Sequence, residues 1–504
     1  MAGRRHSITR REFLAAAGAA SLAAAAGDLL AKGGKQAVVA TMSAPKDAPN
    51  ILVVMCDQLS QRAVGAYGDA QKATPNIDAI AAAGVRFSKS YVQCPLCMPL
   101  RASLWTGRYP HETGVMSNYG PGCGKVPSDM PTLGAIFTAG GYETACFGKT
   151  HDGGALRGFS HVEKEDETPA DGLDPLYEGG HPAARDRCAA DKCVEFLGKP
   201  HDKPFLAVAS MLNPHGICGW IGENKGPHKD APIQGELPPL PDNFEIEDLK
   251  DRPIPIQYLC CSHRRLAQAS HWSPENYRYY LAAYYRYVKM ADAEVGRILK
   301  ALRESPAGRN TLVVFHADHG DGMACHRMVT KETQFYDETT RVPLIFAGPG
   351  VSGTSALVEA PLASMLDLVP TLCEYARLAP PKDARGKSLM PFLRGEDPKD
   401  FRQFLVSEWY TEAGFAGVVT PGRMVRSQRY KYTRYVEGNG EELFDLEKDP
   451  GEKRTLVKDP ACADVLAQHR KMLESHVREI NDPFFTMQAR RGHKLHALGY
   501  PNHG

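Results

Sequence analysis

Four short apolar runs that each end near a polar side chain constrain the fold of this chain more than any other feature. They are Ile51 to Met55, Thr144 to Phe147, Pro204 to Ala209 and Thr311 to Phe315. Such runs are typical of strands buried on both faces of a parallel sheet. Helical patterns lie between them, and in Tyr279 to Leu302 we interpret the tyrosine stripe as helix core. The alternation predicts an α/β fold with a large mixed, mostly parallel sheet flanked by helices.

Chemically active side chains follow the ends of these runs. They are Asp57, His151, His215, Asp318 and His319. The carboxyl ends of parallel strands meet at one edge of a sheet, where ligands bind. The sequence therefore predicts that these five side chains converge although they lie far apart in the chain.

The pattern of the chain changes after residue 384. Short alternating runs between Phe404 and Tyr435 predict antiparallel strands, and Cys462 to Ile480 predicts a helix. We therefore expect a main domain over residues 49–384 and a smaller C-terminal α+β domain with a tail over residues 385–504.

Residues 1–48 have the features of an export signal and a linker. The pair Arg10-Arg11 precedes Phe13, and an alanine-rich run extends from Leu14 to Ala26. This segment resembles a twin-arginine signal peptide. An uncleaved anchor is the alternative, but the run is short and poor in Leu and Ile for a membrane span. We expect the twin-arginine export machinery as a partner and a periplasmic or extracellular location.

The charge balance excludes one class of partner. Lys and Arg total 60 and Asp and Glu total 59, which gives a formal net charge of +1. No net field attracts the chain to nucleic acid, so no nucleic-acid partner is expected. Any anion must be bound by local charges.

One stretch is more specific than the strands. It reads Cys97-x-Pro99-x-Arg101, followed by Thr-Gly-Arg at 106–108. It resembles the signature of the type I sulfatases of the alkaline phosphatase superfamily, although Leu100 stands where that signature usually has Ser. The resemblance implies an alkaline phosphatase-like fold and oxidation of Cys97 to formylglycine. It also implies a formylglycine-generating maturation enzyme as a partner.

Further blocks extend the resemblance over nearly the whole chain after the signal. In order they are Asn50 to Gln58, Phe147 to His151, Asp318 to Gly320, Glu338 to Leu344, Glu441 to Leu446, and Asp449-Pro450. So many separated blocks in the right order are not expected by chance.

The resemblance implies one group of residues that performs the reaction. Arg101 holds the hydrated aldehyde, and Lys149 and Lys331 contact the sulfate. His215 protonates the departing alcohol, and His151 is the base in sulfate release. We expect Lys149 and His151 to alternate along an extended segment, which points both side chains the same way. The whole group is Cys97, Arg101, Lys149, His151, His215 and Lys331.

The resemblance also implies a metal site. Its ligands are Asp57, Gln58, Asp318 and His319. Carboxylate oxygens at strand ends suit a hard cation, so we expect Ca²⁺, with Mg²⁺ as the alternative. Many relatives have Asp where Gln58 stands and Asn where His319 stands, so this site is less negative than theirs.

Asn118 and His326 are candidates for substrate contacts. His326 occupies the Gly-x-His position of the family, with Ala324 in place of the glycine. Asn118 lies in a loop, where asparagine commonly forms turns.

These observations predict an exported sulfatase that acts on a sulfated small molecule or glycan. Sulfate monoesters are anions, so their hydrolysis needs cations at the sulfuryl oxygens and a nucleophile that can later release sulfate. Two alternatives stay open: a phosphonate monoester or phosphodiester hydrolase of the same fold, and a catalytically silent carbohydrate-binding relative. Lys149 with His151 opposes the first, and the presence of a nucleophile, an acid and a base opposes the second.

Overall fold

The computed structural model describes most of the chain after residue 47. The described ranges are 48–120, 122–163, 182–223, 236–246, 248–257, 269, 272–331, 334–410, 420–438 and 440–489. The predicted twin-arginine segment lies outside the described residues. Within the described ranges, no helix is both long and apolar enough to cross a membrane.

Fourteen strands lie in the described part of the chain. They are β1 (Asn50–Asp57), β2 (Val85–Phe87), β3 (Ser90–Tyr91), β4 (Glu143–Gly148), β5 (His161–Glu163), β6 (Phe205–Pro214), β7 (Thr311–Ala317), β8 (Leu344–Ala347), β9 (Ala356–Val358), β10 (Ala363–Ser364), β11 (Phe404–Trp409), β12 (Gly422–Ser427), β13 (Tyr430–Tyr435) and β14 (Glu441–Asp445).

The α-helices in the same ranges vary from one turn to eight turns. They are α1 (Pro75–Ala82), α2 (Cys97–Thr106), α3 (Pro110–Thr113), α4 (Leu133–Ala139), α5 (Pro182–Leu197), α6 (Ile217–Glu223), α7 (Pro274–Glu304), α8 (Asp337–Thr340), α9 (Leu368–Tyr375), α10 (Met390–Leu393) and α11 (Ala463–Glu479).

Eight strands form one sheet in the order β5-β4-β6-β1-β7-β8-β2-β9. Neighbours are parallel except that β8 runs antiparallel to both β7 and β2. The predicted mixed, mostly parallel sheet is therefore confirmed. The four apolar runs of the sequence correspond to β4, β6, β1 and β7, which are consecutive at its centre.

Burial explains why the central strands lack a polar face. Residues Ile51 to Cys56 of β1 are fully buried, and every residue of β6 and β7 is buried. Helices α5 and α7 pack against β6. Four tyrosines of α7 are buried in this layer, as predicted: Tyr277, Tyr280, Tyr284 and Tyr287.

A separate antiparallel sheet follows in the order β11-β12-β13-β14. Helix α11 contacts β12 and β13, and its Leu473 and Val477 join Val425 and Tyr432 in a second apolar cluster. This arrangement confirms the smaller C-terminal α+β region. The boundary at residues 384 and 385 stays a prediction.

Candidate active site

The predicted site residues lie at one edge of the large sheet. Asp57 ends β1, Lys149 follows β4, His215 follows β6, and Asp318 with His319 follows β7. Because β4, β6, β1 and β7 are parallel neighbours, their carboxyl ends bring these side chains together.

Cys97 is the first residue of α2, and its side chain is buried. Its Sγ lies 3.1 Å from His319 Nε2 and 3.8 Å from Asp57 Oδ1. The N-cap residue, Leu96, offers no side-chain acceptor to the helix start. Asn118 supplies one instead, since its Oδ1 accepts the Met98 N–H at 3.0 Å. The structure thus places Asn118 beside Cys97 as a helix cap, and its contact with substrate stays a prediction.

Arg101 lies on the next turn of α2 and is almost fully buried. Its Nε donates to Asp318 Oδ2 at 2.9 Å. A terminal nitrogen donates to the Lys149 carbonyl and to Ser210 Oγ, both at 2.9 Å. The guanidinium therefore joins α2 to the ends of β4 and β7 and to the middle of β6. The sequence argument missed Ser210, because a serine inside an apolar strand carries no motif.

Positive charge surrounds the Cys97 thiol. Burial alone would raise the pKa of the thiol, but Lys149, Lys331 and His319 lower it, and a hydrogen bond from His151 adds to the effect. The balance holds the pKa of Cys97 well below its usual value. A site of this kind stabilises negative charge at position 97 and on a bound anion.

Two buried carboxylates and one imidazole form a candidate metal centre beside Cys97. One ligand atom each from Asp57, Asp318, His319 and Cys97 lies within 4.8 Å of the others. His319 Nδ1 lies 2.8 Å from the Gly320 carbonyl oxygen, so Nδ1 carries a proton and Nε2 is the ring atom that can bind a metal. This donor set fits one hard divalent cation.

Asp57 is held ionised for such a role. Burial opposes its ionisation, but the charges of Lys149 and Lys331 keep the pKa of Asp57 well below its usual value. Lys149 Nζ also donates directly to Asp57 Oδ2.

Gln58, the fourth predicted ligand, is held on three sides. Its backbone N–H donates to Asp318 Oδ1 at 3.0 Å, and its backbone is in the left-handed region with φ of 70°. Its Oε1 accepts from Lys331 Nζ at 2.5 Å, while its Nε2 donates to Asp321 Oδ2 at 2.6 Å. Gln58 thus links the acidic centre to the second lysine, and its contact with a metal stays a prediction.

Asp321 is a site residue that the sequence argument missed. It is fully buried and accepts from Gln58 Nε2 and from the Tyr280 hydroxyl. Tyr284 donates to the Gln58 carbonyl at 2.7 Å. The tyrosine stripe of α7 is core, as predicted, and two of its hydroxyls also fix the site. The available signal was a second acid three residues after Asp318, within one loop.

The expected extended segment from Lys149 to His151 is wrong. Strand β4 ends at Gly148, and His151 has a φ of 39° in the left-handed region. Alternation therefore does not align the two side chains. Both still act on Cys97, Lys149 through its charge and His151 through a hydrogen bond.

His215 directly follows β6 and is partly exposed. Its side chain forms a hydrogen bond with Cys97. Burial and the positive charges of Lys331 and Lys149 lower the pKa of His215 to about 3. The imidazole is therefore neutral at pH 7.

His326 is not brought to this cluster. Its ring is fully buried and stacks on Tyr336 with ring centroids 4.2 Å apart. Its backbone N–H donates to the Asn243 carbonyl at 2.7 Å, and its ring Nε2 lies 3.1 Å from the Glu452 carbonyl oxygen. Among the described residues, these bonds include none of the other predicted site residues. The predicted substrate contact at His326 gains no support from this position.

Comparison with known proteins identifies related chains. The family model described as sulfatase matches residues 49–378, and the model described as the C-terminal region of N-sulphoglucosamine sulphohydrolase matches residues 326–479. The Δ4,5-hexuronate-2-O-sulfatase of Bacteroides thetaiotaomicron is 49% identical over 462 residues, which cover 91% of this chain and 95% of that protein.

Solved structures agree with these matches. The structure of a 2-O GAG sulfatase is 49% identical, has a TM-score of 0.85, and is matched over 91% of this chain and 98% of its own. The phosphonate monoester hydrolase of Agrobacterium radiobacter has a TM-score of 0.71 at 24% identity, over 87% of this chain and 97% of its own. That second likeness shows the fold alone, so the comparisons favour sulfate ester chemistry over the phosphonate alternative.

Proposed function

Since the chain belongs to the sulfatase family and is a sulfuric ester hydrolase, we propose that it removes sulfate from a sulfated glycan through a formylglycine formed from Cys97. The observation that carries this proposal is the position of Cys97. It begins α2 beside two lysines and a pair of buried carboxylates. Negative charge develops on the sulfuryl oxygens during the reaction, and cations that converge on one point stabilise that charge.

A hydrated formylglycine would supply one hydroxyl that attacks sulfur and a second whose deprotonation breaks the carbon–oxygen bond to sulfate. The residues of this chain then have distinct tasks. Lys149 and Lys331 bind sulfate oxygens, and Arg101 holds the nucleophile end of α2 against Asp318. His151 takes the proton of the second hydroxyl, since its side chain already bonds to position 97.

His215 is the proposed acid for the departing alcohol. Its pKa of about 3 in the free site would leave no proton to donate at pH 7. A bound sulfate ester places negative charge against the imidazole, and an opposite charge raises the pKa of a histidine. Substrate binding therefore protonates His215, which then donates this proton to the leaving oxygen.

We propose calcium for the metal centre, with magnesium as the alternative. Asp57, Asp318 and His319 would hold the ion, with Gln58 completing the set. Such an ion would neutralise charge on the sulfate and orient the nucleophile.

Maturation would require a formylglycine-generating enzyme. We also propose export by the twin-arginine route to the periplasm or the medium, which rests on Arg10-Arg11 and the alanine-rich run that follows.

Replacing His215 with Ala should lower kcat/KM by an amount that depends on the leaving group of the substrate. Loss of a general acid should lower kcat/KM by roughly 10²- to 10⁴-fold for sulfate esters of poorly acidic alcohols. The loss should be much smaller for nitrophenyl sulfate, whose leaving group needs no proton. His161→Ala, an exposed histidine on β5, is the matched control. Equal losses for both substrates would assign His215 to sulfate binding instead.

A glycan substrate is supported by an aromatic ring at the site. Tyr119 is 55% exposed, and its ring centroid lies 6.5 Å from that of His151. Exposed aromatic rings beside a polar site provide flat apolar area for a sugar ring. Because the Bacteroides relative is a Δ4,5-hexuronate-2-O-sulfatase, we propose 2-O-sulfated hexuronates as the first substrates to test.

A panel of sulfated disaccharides, with 2-O-sulfated uronates included, tests the glycan proposal. We expect hydrolysis of at least one, and we expect Tyr119→Ala to raise its KM by roughly 2- to 10-fold. Leu357→Ala on β9 removes another exposed apolar side chain and should leave KM unchanged. A panel without any hydrolysed glycan, assayed with enzyme that cleaves nitrophenyl sulfate, would contradict the proposal.

A further inference from the structure

Strand β6 contains a two-residue bulge immediately before His215. In the pairing of β1 with β6, Cys56 lies opposite Met211, but the next residue, Asp57, lies opposite Pro214. Leu212 and Asn213 are therefore extra residues on β6. A bulge removes N–H groups from the regular ladder and re-aims the strand, and bulges are common next to active sites.

One buried carboxylate from a different element accepts the N–H groups of this bulge. Asp186 of α5 is 1% exposed, and its two oxygens accept the Leu212 N–H at 2.5 Å and the Asn213 N–H at 3.2 Å. Helix α5 thus satisfies donors that β1 cannot reach.

The bulge in turn holds the backbone of the proposed acid. The His215 N–H donates to the Leu212 carbonyl at 3.0 Å. The same Leu212 is fixed through its own N–H by Asp186. A two-bond path therefore runs from the carboxylate on α5 through Leu212 to His215.

Burying a carboxylate at this position costs free energy. Burial raises the pKa of Asp186 to about 7, even though backbone hydrogen bonds from Leu212 and Asn213 lower it. An apolar residue would fill the space without that cost, but it would leave two buried N–H groups without acceptors.

We propose that Asp186 is a positioning residue for His215: it fixes the bulge of β6 so that the imidazole lies beside position 97. The inference rests on the proposed function of His215 as the acid. Asp186 reaches the reaction only through the backbone of Leu212 and His215, and it has no direct task at the sulfate.

The experiment compares Asp186→Ala and Asp186→Asn with His215→Ala on two substrates. For a sulfate ester of a poorly acidic alcohol, Asp186→Ala should lower kcat by roughly 10- to 100-fold, the effect of misplacing a catalytic group. For nitrophenyl sulfate it should lower kcat less than about threefold, since that step needs no acid. Asp186→Asn keeps one acceptor oxygen, so it should recover part of the loss. Arg187→Ala, on the same helix with an exposed side chain, should behave as wild type.

A double variant completes the test. If Asp186 acts only through His215, then adding Asp186→Asn to His215→Ala should cause no further loss on the first substrate. An additive loss, or equal losses of Asp186→Asn on both substrates, would overturn the positioning role. If His215→Ala itself shows no leaving-group selectivity, the acid role fails and the inference fails with it. If His215→Ala shows that selectivity and folded Asp186→Asn does not, only the inference fails.

Discussion

Replacement of Cys97 with alanine should lower kcat/KM for a sulfate ester by roughly 10⁴- to 10⁶-fold, the range seen when a nucleophile is removed. The Cys97 thiol contacts both His319 and Asp57. The change removes one small buried atom, so the fold should persist. Initial rates with nitrophenyl sulfate, measured with a circular dichroism spectrum of the same sample, provide the readout.

Cys94→Ala is the matched control for that experiment. Cys94 lies three residues upstream, is equally buried, and has its pKa raised well above the usual value by burial. It should be an inert packing residue. Cys94→Ala removes the same buried volume as Cys97→Ala but no reactive group. We therefore expect it to retain activity within about threefold. If the Cys97 variant retained comparable activity, Cys97 would not be the source of the nucleophile.

Asp318→Asn should remove the bound cation and lower kcat/KM by roughly 10²- to 10³-fold. Asparagine keeps the shape of the side chain. Asp318→Ala would instead leave the buried Arg101 guanidinium without this partner and lower the folding stability by about 3–5 kcal/mol. The carboxylate contributes one ligand atom to the cluster and accepts from Arg101 Nε. Elemental analysis after dialysis against calcium gives the metal content per chain.

Asp367→Asn controls for the loss of a buried carboxylate as such. Asp367 is fully buried and paired with Arg402 at 2.6 Å, so it resembles Asp318 in environment but belongs to the start of α9. Its variant should lose stability and keep the full metal content. A folded Asp318→Asn protein with wild-type metal content would show that the ion, if bound, lies elsewhere.

The sequence predicted the central strands and the edge where the site forms. Strands such as β1 and β7 are buried on both faces, so their sequences are continuous apolar runs with clear ends. Parallel pairing then places Asp57 and Asp318 side by side without knowledge of the intervening loops. The roles of the side chains required the family resemblance, since a strand-end aspartate has many other uses.

Supporting contacts could not be predicted in the same way. Asp321, Ser210 and Asp186 act through hydrogen bonds to residues that are distant in the chain, and no local pattern encodes such partners. Loop conformation was the second obstacle. The segment from Met323 to Thr330 contains five non-glycine residues with positive φ, which sequence propensities disfavour. Its path carries His326 onto Tyr336 instead of toward the nucleophile.

The most direct test of the proposed mechanism is the mass of the peptide that contains Cys97, measured in active enzyme purified from the native host. The account predicts that this peptide carries an aldehyde or its hydrate in place of the thiol, and that it reacts with a hydrazide probe. The peptide from Cys97→Ala should not react. Fully active enzyme in which position 97 is found only as an unmodified thiol would contradict the formylglycine mechanism.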